Sequence, residues 1–205
     1  MSGPPPTAMP TPPTIVIESL TASAGRARGA VVIIDVFRAF TTAAVALANG
    51  AEAIVMVDDL DTALALRDRG VGRICIGERR GVKPEGFDFG NSPHEIRDLS
   101  FAGDVLIQTT SNGTKGVLAA RAATRVYAAS LANAAATVRA ILDDGEAEVW
   151  LIAAGDDAAR TEEDEICALY MRALLQGRSP IGTSFARRWP RSVRGWTDRP
   201  CRRRT

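Results

Sequence analysis

One histidine, His94, is present in 205 residues. It follows Ser92-Pro93, where a lone histidine is more often exposed than catalytic, so no general-base role is expected of it. Cysteine is also scarce. Cys75, Cys167 and Cys201 lie far apart, are odd in number and form no C-x-x-C spacing. That argues against a disulfide framework or a zinc site and makes a reducing cytoplasm the default. No apolar run approaches the ~20 residues needed to cross a bilayer. The start, Met1 to Pro13, lacks the basic region and apolar stretch of a secretory signal. No membrane partner is therefore expected.

What remains is an ordinary globular composition, 46% apolar and 24% charged, long enough for one domain with a sizeable core. The net charge of +1 hides an uneven distribution. Residues 178–205 carry nine arginines and one acid, Asp198, leaving 16 basic and 23 acidic side chains in residues 1–177. Residues 1–14 hold six prolines and no periodicity, and read as a disordered leader. The Arg-rich end, 178–205, shows neither a helical nor a strand period and reads as a tail that does not pack.

Between these ends, apolar β-branched runs alternate with helical patterns. Strands are expected at 15–17, 31–35, 53–57, 73–77, 104–109, 125–129 and 148–154. Helices are expected at 43–49, 58–69, 95–99, 114–123, 133–142 and 162–175, with loops at 21–29 and 78–93. This alternation predicts right-handed βαβ units: an α/β domain over 15–177, with a mostly parallel sheet and helices on both faces.

The run Val31-Val32-Ile33-Ile34-Asp35 ends a buried strand on a carboxylate, with Arg38, Thr41 and Thr42 leading into a helix. Other polar clusters also follow strands: Glu78-Arg79-Arg80, Thr109 to Lys115, Ser130 with Asn133, and Gly155-Asp156-Asp157. In an open parallel sheet the carboxyl ends share one edge, so these clusters converge on one crevice. Thr109-Thr110-Ser111-Asn112-Gly113-Thr114 can offer several donors to a phosphate. Arg38, Arg79, Arg80 and Lys115 add positive charge. Asp35, Glu78, Asp156, Glu163 and Asp164 supply the oxygen ligands that Mg²⁺ prefers. Such a set suits metal-assisted phosphoryl chemistry. Common alternatives fail. There is no Walker A motif and no G-x-S-x-G elbow. The second acid of a haloacid-dehalogenase motif is replaced by Phe37, and the residue six after Cys75 is Gly81, not the arginine of a cysteine phosphatase.

Several of these stretches together resemble the 2-phosphosulfolactate phosphatase family. They are Ile34-Asp35-Val36-Phe37-Arg38-Ala39 with Thr41-Thr42, Gly77-Glu78-Arg79, Gly86-Phe87-Asp88-Phe89-Gly90-Asn91-Ser92-Pro93, Asn112-Gly113-Thr114, Asn133, and Glu163-Asp164-Glu165-Ile166-Cys167-Ala168. The likeness runs from about residue 30 to 177. It implies an α/β fold and a Mg²⁺-dependent phosphatase that splits 2-phosphosulfolactate into sulfolactate and phosphate, a step of coenzyme M synthesis. Two departures stand out. Leu169 replaces the family's usual glycine, and the Arg-rich tail does not resemble the family's closing αβ elements.

With that resemblance, Asp35, Arg38, Glu78 and Arg79 are expected to serve catalysis. Asn91, Ser92, Thr110, Asn112, Gly113, Thr114 and Asn133 are expected to hold the phosphorylated acid, and Asp35, Glu163 and Asp164 the metal. Plainer readings stand beside each. Asp35 could cap a helix, Asn91-Ser92 and Asn112-Gly113 could be turns, and Glu163 and Asp164 could be first-turn acids favoured by the helix dipole. Cys167 reads as a packed apolar residue. The expected partner is a small phosphorylated acid. Nucleic acid is not expected, although the tail arginines would suit it. A sheet edge left open by the tail would favour a homo-oligomer. The alternative function is that of a phosphate-ligand binding protein or an inactive remnant of the family.

Overall fold

The structure, a computed structural model, describes residues 13–178. The expectations for the leader, apart from Pro13 and Thr14, and for the tail beyond Arg178 lie outside the described residues. Seven strands are present: β1 Thr14–Ser19, β2 Ala30–Ile34, β3 Ala53–Met56, β4 Ile74–Gly77, β5 Val105–Thr109, β6 Arg125–Ala129 and β7 Glu148–Ala153. They alternate with α1 Ala39–Ala48, α2 Leu60–Asp68, α3 Pro93–Ile96, α4 Gly113–Ala119, α5 Ala134–Asp144 and α6 Glu162–Leu175. The stretch 21–29, expected as loop, contains a 3₁₀ turn, Thr21–Arg26.

The α/β class and the parallel pairing agree with the pattern. The single sheet is corrected to two. One sheet has the order β1-β7-β2-β6 and the other β3-β5-β4. Every strand pair is parallel. Sequence periodicity reports that a strand is buried and not which strand it pairs with, so the division leaves no trace in it. Both faces of each sheet are covered. On the first sheet, Val32, Ile34, Val149 and Leu151 pack with Val138 and Ile141 of α5 and Cys167 and Met171 of α6. Its other face packs Val31 and Ile33 with Phe40 and Ala43 of α1. On the second sheet, Ile76 and Leu106 pack with Ala46 of α1 and Ile96 of α3. Cys75 and Ile107 pack with Ala63 of α2 on the opposite face. Helix α1 is thus shared by both sheets.

Two local features set the carboxyl ends. Helix α1 begins four residues earlier than the apolar pattern suggests. Asp35 Oδ1 accepts a hydrogen bond from Ala39 N at 2.9 Å, which satisfies a free N–H of the first turn. Gly77 closes β4 at φ +148, and a Cβ there would lie 1.9 Å from the Thr109 carbonyl oxygen. Only glycine lets the ends of β4 and β5 approach this closely.

Candidate active site

Asp35 follows β2 in the first sheet, whereas Glu78 and the loop 110–114 follow β4 and β5 in the second. The two sets still meet. A Cβ on Gly113 would lie 2.8 Å from Asp35 Oδ2, and Gly113 N–H also donates to the Asp35 carboxylate. Asp35 is 8% exposed. Burial pushes its carboxyl up to about 7, and the charges of Asp164 and Glu78 push the same way. Hydrogen bonds from the Ala39 and Gly113 amides oppose this shift without cancelling it.

Asp164, in the first turn of α6, braces the first sheet. Its Oδ1 accepts from Val36 N at 2.8 Å, and its Oδ2 from Gly155 N at 3.0 Å and Thr161 Oγ1 at 2.9 Å. It ties the loop after β2 to the loop after β7. Burial raises its carboxyl to about 6 despite these three donors. Glu163 beside it is part-exposed and makes no hydrogen bond or ion pair with a described residue.

Glu78 performs the matching role in the second sheet. Ser111 N donates to Oε1 at 2.6 Å, while Gly81 N at 2.7 Å and Ser111 Oγ at 3.0 Å donate to Oε2. The carboxylate thereby fixes both the 79–82 turn and the loop 110–114. Arg79 is also spent on structure. It donates to the backbone carbonyls of Glu78 and Asp58 and to Thr109 Oγ1, spanning the ends of all three strands.

The hydroxyls of Thr110 and Thr114 close on each other. Thr114 N donates to Thr110 Oγ1 at 3.1 Å, and Thr110 N donates to Thr114 Oγ1 at 2.9 Å. Thr114 is fully buried. These side chains shape the loop, and its surface belongs to Ser111 and Asn112. Asn112 Nδ2 donates to Asp156 Oδ1, and its Oδ1 accepts from Asp157 N. That reciprocal pair links the two sheets at the mouth. Asn133 is confined to its own turn, with Oδ1 accepting from Ser130 N and Nδ2 donating to the Ala128 carbonyl.

A smaller group has no such commitments. Arg38, Arg80 and Lys115 are exposed, and none forms a side-chain hydrogen bond or ion pair with a described residue. Asn91 is buried with Oδ1 unpartnered, and the Ser92 hydroxyl makes no bond within the described residues. His94 is exposed and Cys167 is buried among α6 contacts, as expected. Burial pushes the Cys167 thiol well above its ordinary range.

A model of the 2-phosphosulpholactate phosphatase family matches residues 15–187. This chain belongs to that family. It is 42% identical over 135 residues to a probable 2-phosphosulfolactate phosphatase of Thermus thermophilus, covering 65% of this chain and 56% of the relative. A protein of the same name from Prochlorococcus marinus is 38% identical over 151 residues, covering 71% and 61%. Another, from Carboxydothermus hydrogenoformans, is 39% identical over 155 residues, covering 76% and 64%. The chain thus spans less than two thirds of the length of these relatives. In this family member the residues that carry the resemblance divide by task. Glu78, Arg79, Thr110, Thr114, Asn133 and Asp164 hold the loops, whereas Arg38, Ser92 and Asn91 Oδ1 have no side-chain partner among the described residues and Asp35 is buried with backbone donors only.

The donor set can be tested against the expected Mg²⁺. Among the described residues no three acidic, histidine or cysteine side chains gather as a ready cage, so Asp35, Glu163 and Asp164 do not form one. Mg²⁺ needs no such cage: it keeps several waters and is held by one or two carboxylates and the substrate's phosphate. Asp35, buried near the carboxylates of Asp164 and Glu78, fits that requirement. Replacing Glu78 tests its role as a brace. Glu78→Gln keeps the shape, trades the charge-assisted bonds for weaker ones, and turns one acceptor into a donor facing Gly81 or Ser111. Turnover is expected to fall about tenfold and stability by about 1–3 kcal/mol. Turnover within twofold of the parent would exclude the brace.

Proposed function

We propose that the protein is a phosphoric monoester hydrolase acting on 2-phosphosulfolactate or a similar phosphorylated small acid, with Mg²⁺ as cofactor. The observation that carries this reading is the buried Asp35, with a carboxyl near 7, set against the loop 110–114 and beside the unpaired Arg38. Family membership and the names of the relatives support it.

In the reaction the bond from phosphorus to the substrate's C2 oxygen breaks, water adds its oxygen to phosphorus, and the leaving oxygen takes up a proton. Asp35 can hold or release a proton near neutral pH, where a solvated aspartate could not. Arg38 offers a planar fork suited to a carboxylate, sulfonate or phosphate, the Ser92 hydroxyl a neutral donor, and Asn91 Oδ1 an unpaired acceptor. Bound Mg²⁺, held by Asp35 with Glu163 near the same edge, would supply charge neutralisation of the phosphoryl group. A reducing cytoplasm suits Cys75 and Cys167, which are both buried free thiols. No helix among the described residues is long and apolar enough to cross a membrane.

The decisive assay is phosphate release from 2-phosphosulfolactate by the purified full chain. Release should stop on thorough chelation and return with added Mg²⁺. Release that survives chelation unchanged would remove the metal. Tight substrate binding without release would favour the second reading, a phosphate-ligand binding protein.

A further inference from the structure

We propose that Gln108 is a positioning residue that sets Asp35 against the phosphate-facing loop of the other sheet. No sequence motif marks it. It lies in β5 between Ile107 and Thr109, fully buried. Its Nε2 donates to the Ala39 carbonyl oxygen at 3.0 Å. Ala39 is the residue whose own N–H holds Asp35 Oδ1. A short chain of bonds therefore runs from the second sheet through the first turn of α1 to Asp35.

The packing explains why this link falls at Gln108. Helix α1 lies across the second sheet with Ala46 in the same cluster as Leu106. One helical turn back from Ala46 is Thr42. Two residues on from Leu106, on the same face of the strand, is Gln108. A helical turn rises about 5.4 Å and two strand residues about 6.6 Å, so Thr42 and Gln108 share the next layer towards the site. That layer is polar where the layer below is apolar. It is also incompletely satisfied, since Gln108 Oε1 and Thr42 Oγ1 are both buried without partners among the described residues. A buried acceptor left unpaired costs stability. A methionine of the same length, beside Ile76 in the sheet register and on the face of Leu106, would avoid that cost. A glutamine where an apolar side chain of the same length would leave no orphaned acceptor points to function.

Direct contact between the sheets' carboxyl ends is otherwise made at the mouth, by Gly113 against Asp35 and by Asn112 with Asp156 and Asp157. Gln108 acts one layer deeper. It holds the first turn of α1, whereas Glu78 holds the loop.

The role rests on the proposed hydrolase reading for its kinetic arm only. The test compares full-length parent with Gln108→Met and Thr42→Val. Phosphate release from 2-phosphosulfolactate with Mg²⁺ gives kcat and KM, melting gives stability, and amide hydrogen exchange gives local order. Gln108→Met should lower kcat about tenfold with KM within threefold, and leave the melting midpoint unchanged or raised. Peptides covering 36–42 should exchange faster, while those covering 162–175 should not. Thr42→Val, which leaves the Ala39 bond intact, should keep parental kcat. The role is overturned by a Gln108→Met kcat within twofold of the parent. It is equally overturned by loss of kcat in step with a lowered midpoint and exchange raised throughout. Should Gln108→Met not fold, the stability argument behind the role is refuted. Should the parent release no phosphate, the hydrolase reading fails, and exchange at 36–42 alone decides: unchanged exchange there removes the role.

Discussion

Asp35→Asn is expected to lower kcat/KM about 10³-fold and leave the protein no less stable. An amide retains an oxygen to accept from Ala39 N but cannot carry charge to a metal or exchange a proton, and the acceptor it loses towards the Gly113 amide is offset by removal of a buried charge. Positioned acid–base groups typically contribute about 10² to 10⁴ in rate. The stability half follows from linkage. A solvated aspartate titrates near 3.8 and Asp35 at about 7. Between those values the native state holds a proton that the unfolded chain releases, so stability falls as pH rises from about 4 to about 7. Roughly three steps at about 1.4 kcal/mol each make that loss on the order of 4 kcal/mol. Asp164, raised to about 6, adds a loss of the same sign that is complete near pH 6. Melts of the metal-free protein from pH 4.5 to 7.5 should show this decline, and Asp35→Asn should flatten it. Equal slopes in parent and variant, or an unchanged rate, would remove Asp35 from the centre of the site. Mg²⁺ should restore stability to the parent above pH 7 and not to the variant.

The second large effect is expected at Gly113. An alanine Cβ would lie 2.8 Å from Asp35 Oδ2, 2.9 Å from Ala39 Cβ and 3.1 Å from Phe40 Cζ. Ala39 and Phe40 are buried in the core of the first sheet and cannot yield. Either Asp35 turns away or α4 shifts with its loop, and a misplacement of about 1 Å can cost 10²-fold in rate. Overpacking should cost stability by about 1–3 kcal/mol as well. Gly116→Ala separates the two consequences. Its Cβ would meet Ile33 Cγ2 at 2.9 Å and Thr21 Cγ2 at 3.1 Å, one turn along the same helix and away from Asp35. Similar melting losses with a rate loss confined to Gly113→Ala are the expected result. Equal rate losses in both variants would make the Gly113 effect merely one of stability.

These residues show what can be read from the chain alone. The strand ending at Asp35 and the polar loop after Thr109 are visible because apolar runs and hydroxyl clusters are local signals. Residue type and position make Asp35, Arg38, Asn91 and Ser92 candidates, and the structure gives them buried or unpaired polar groups. Glu78 and Thr114 look identical in sequence whether they touch a ligand or hold a loop. Only their bonds, to Ser111, Gly81 and Thr110, distinguish the two. Gln108 escapes sequence reasoning because one polar residue in an apolar strand has no periodicity, and its partner Ala39 is 69 residues away. The split between sheets escapes it for a related reason: pairing partners lie far apart along the chain, and a buried strand has the same composition in either sheet.

Arg38, Arg80 and Lys115 have a consequence for the rate at which substrate arrives. They come from three different elements, the loop after β2, the turn after β4 and the first turn of α4, are exposed, and have no acidic partner among the described residues, while the buried Asp35, Asp164 and Glu78 cluster near the same strand ends. A multiply charged anion diffusing past would feel their attraction before it could sense the buried acids. Capture would then be quicker than random collision allows at low ionic strength, and slower once dissolved salt shortens the reach of those charges to about 8 Å. Neutral esters of the same shape would gain nothing from this, so discrimination would begin in solution, ahead of any contact with Asp35.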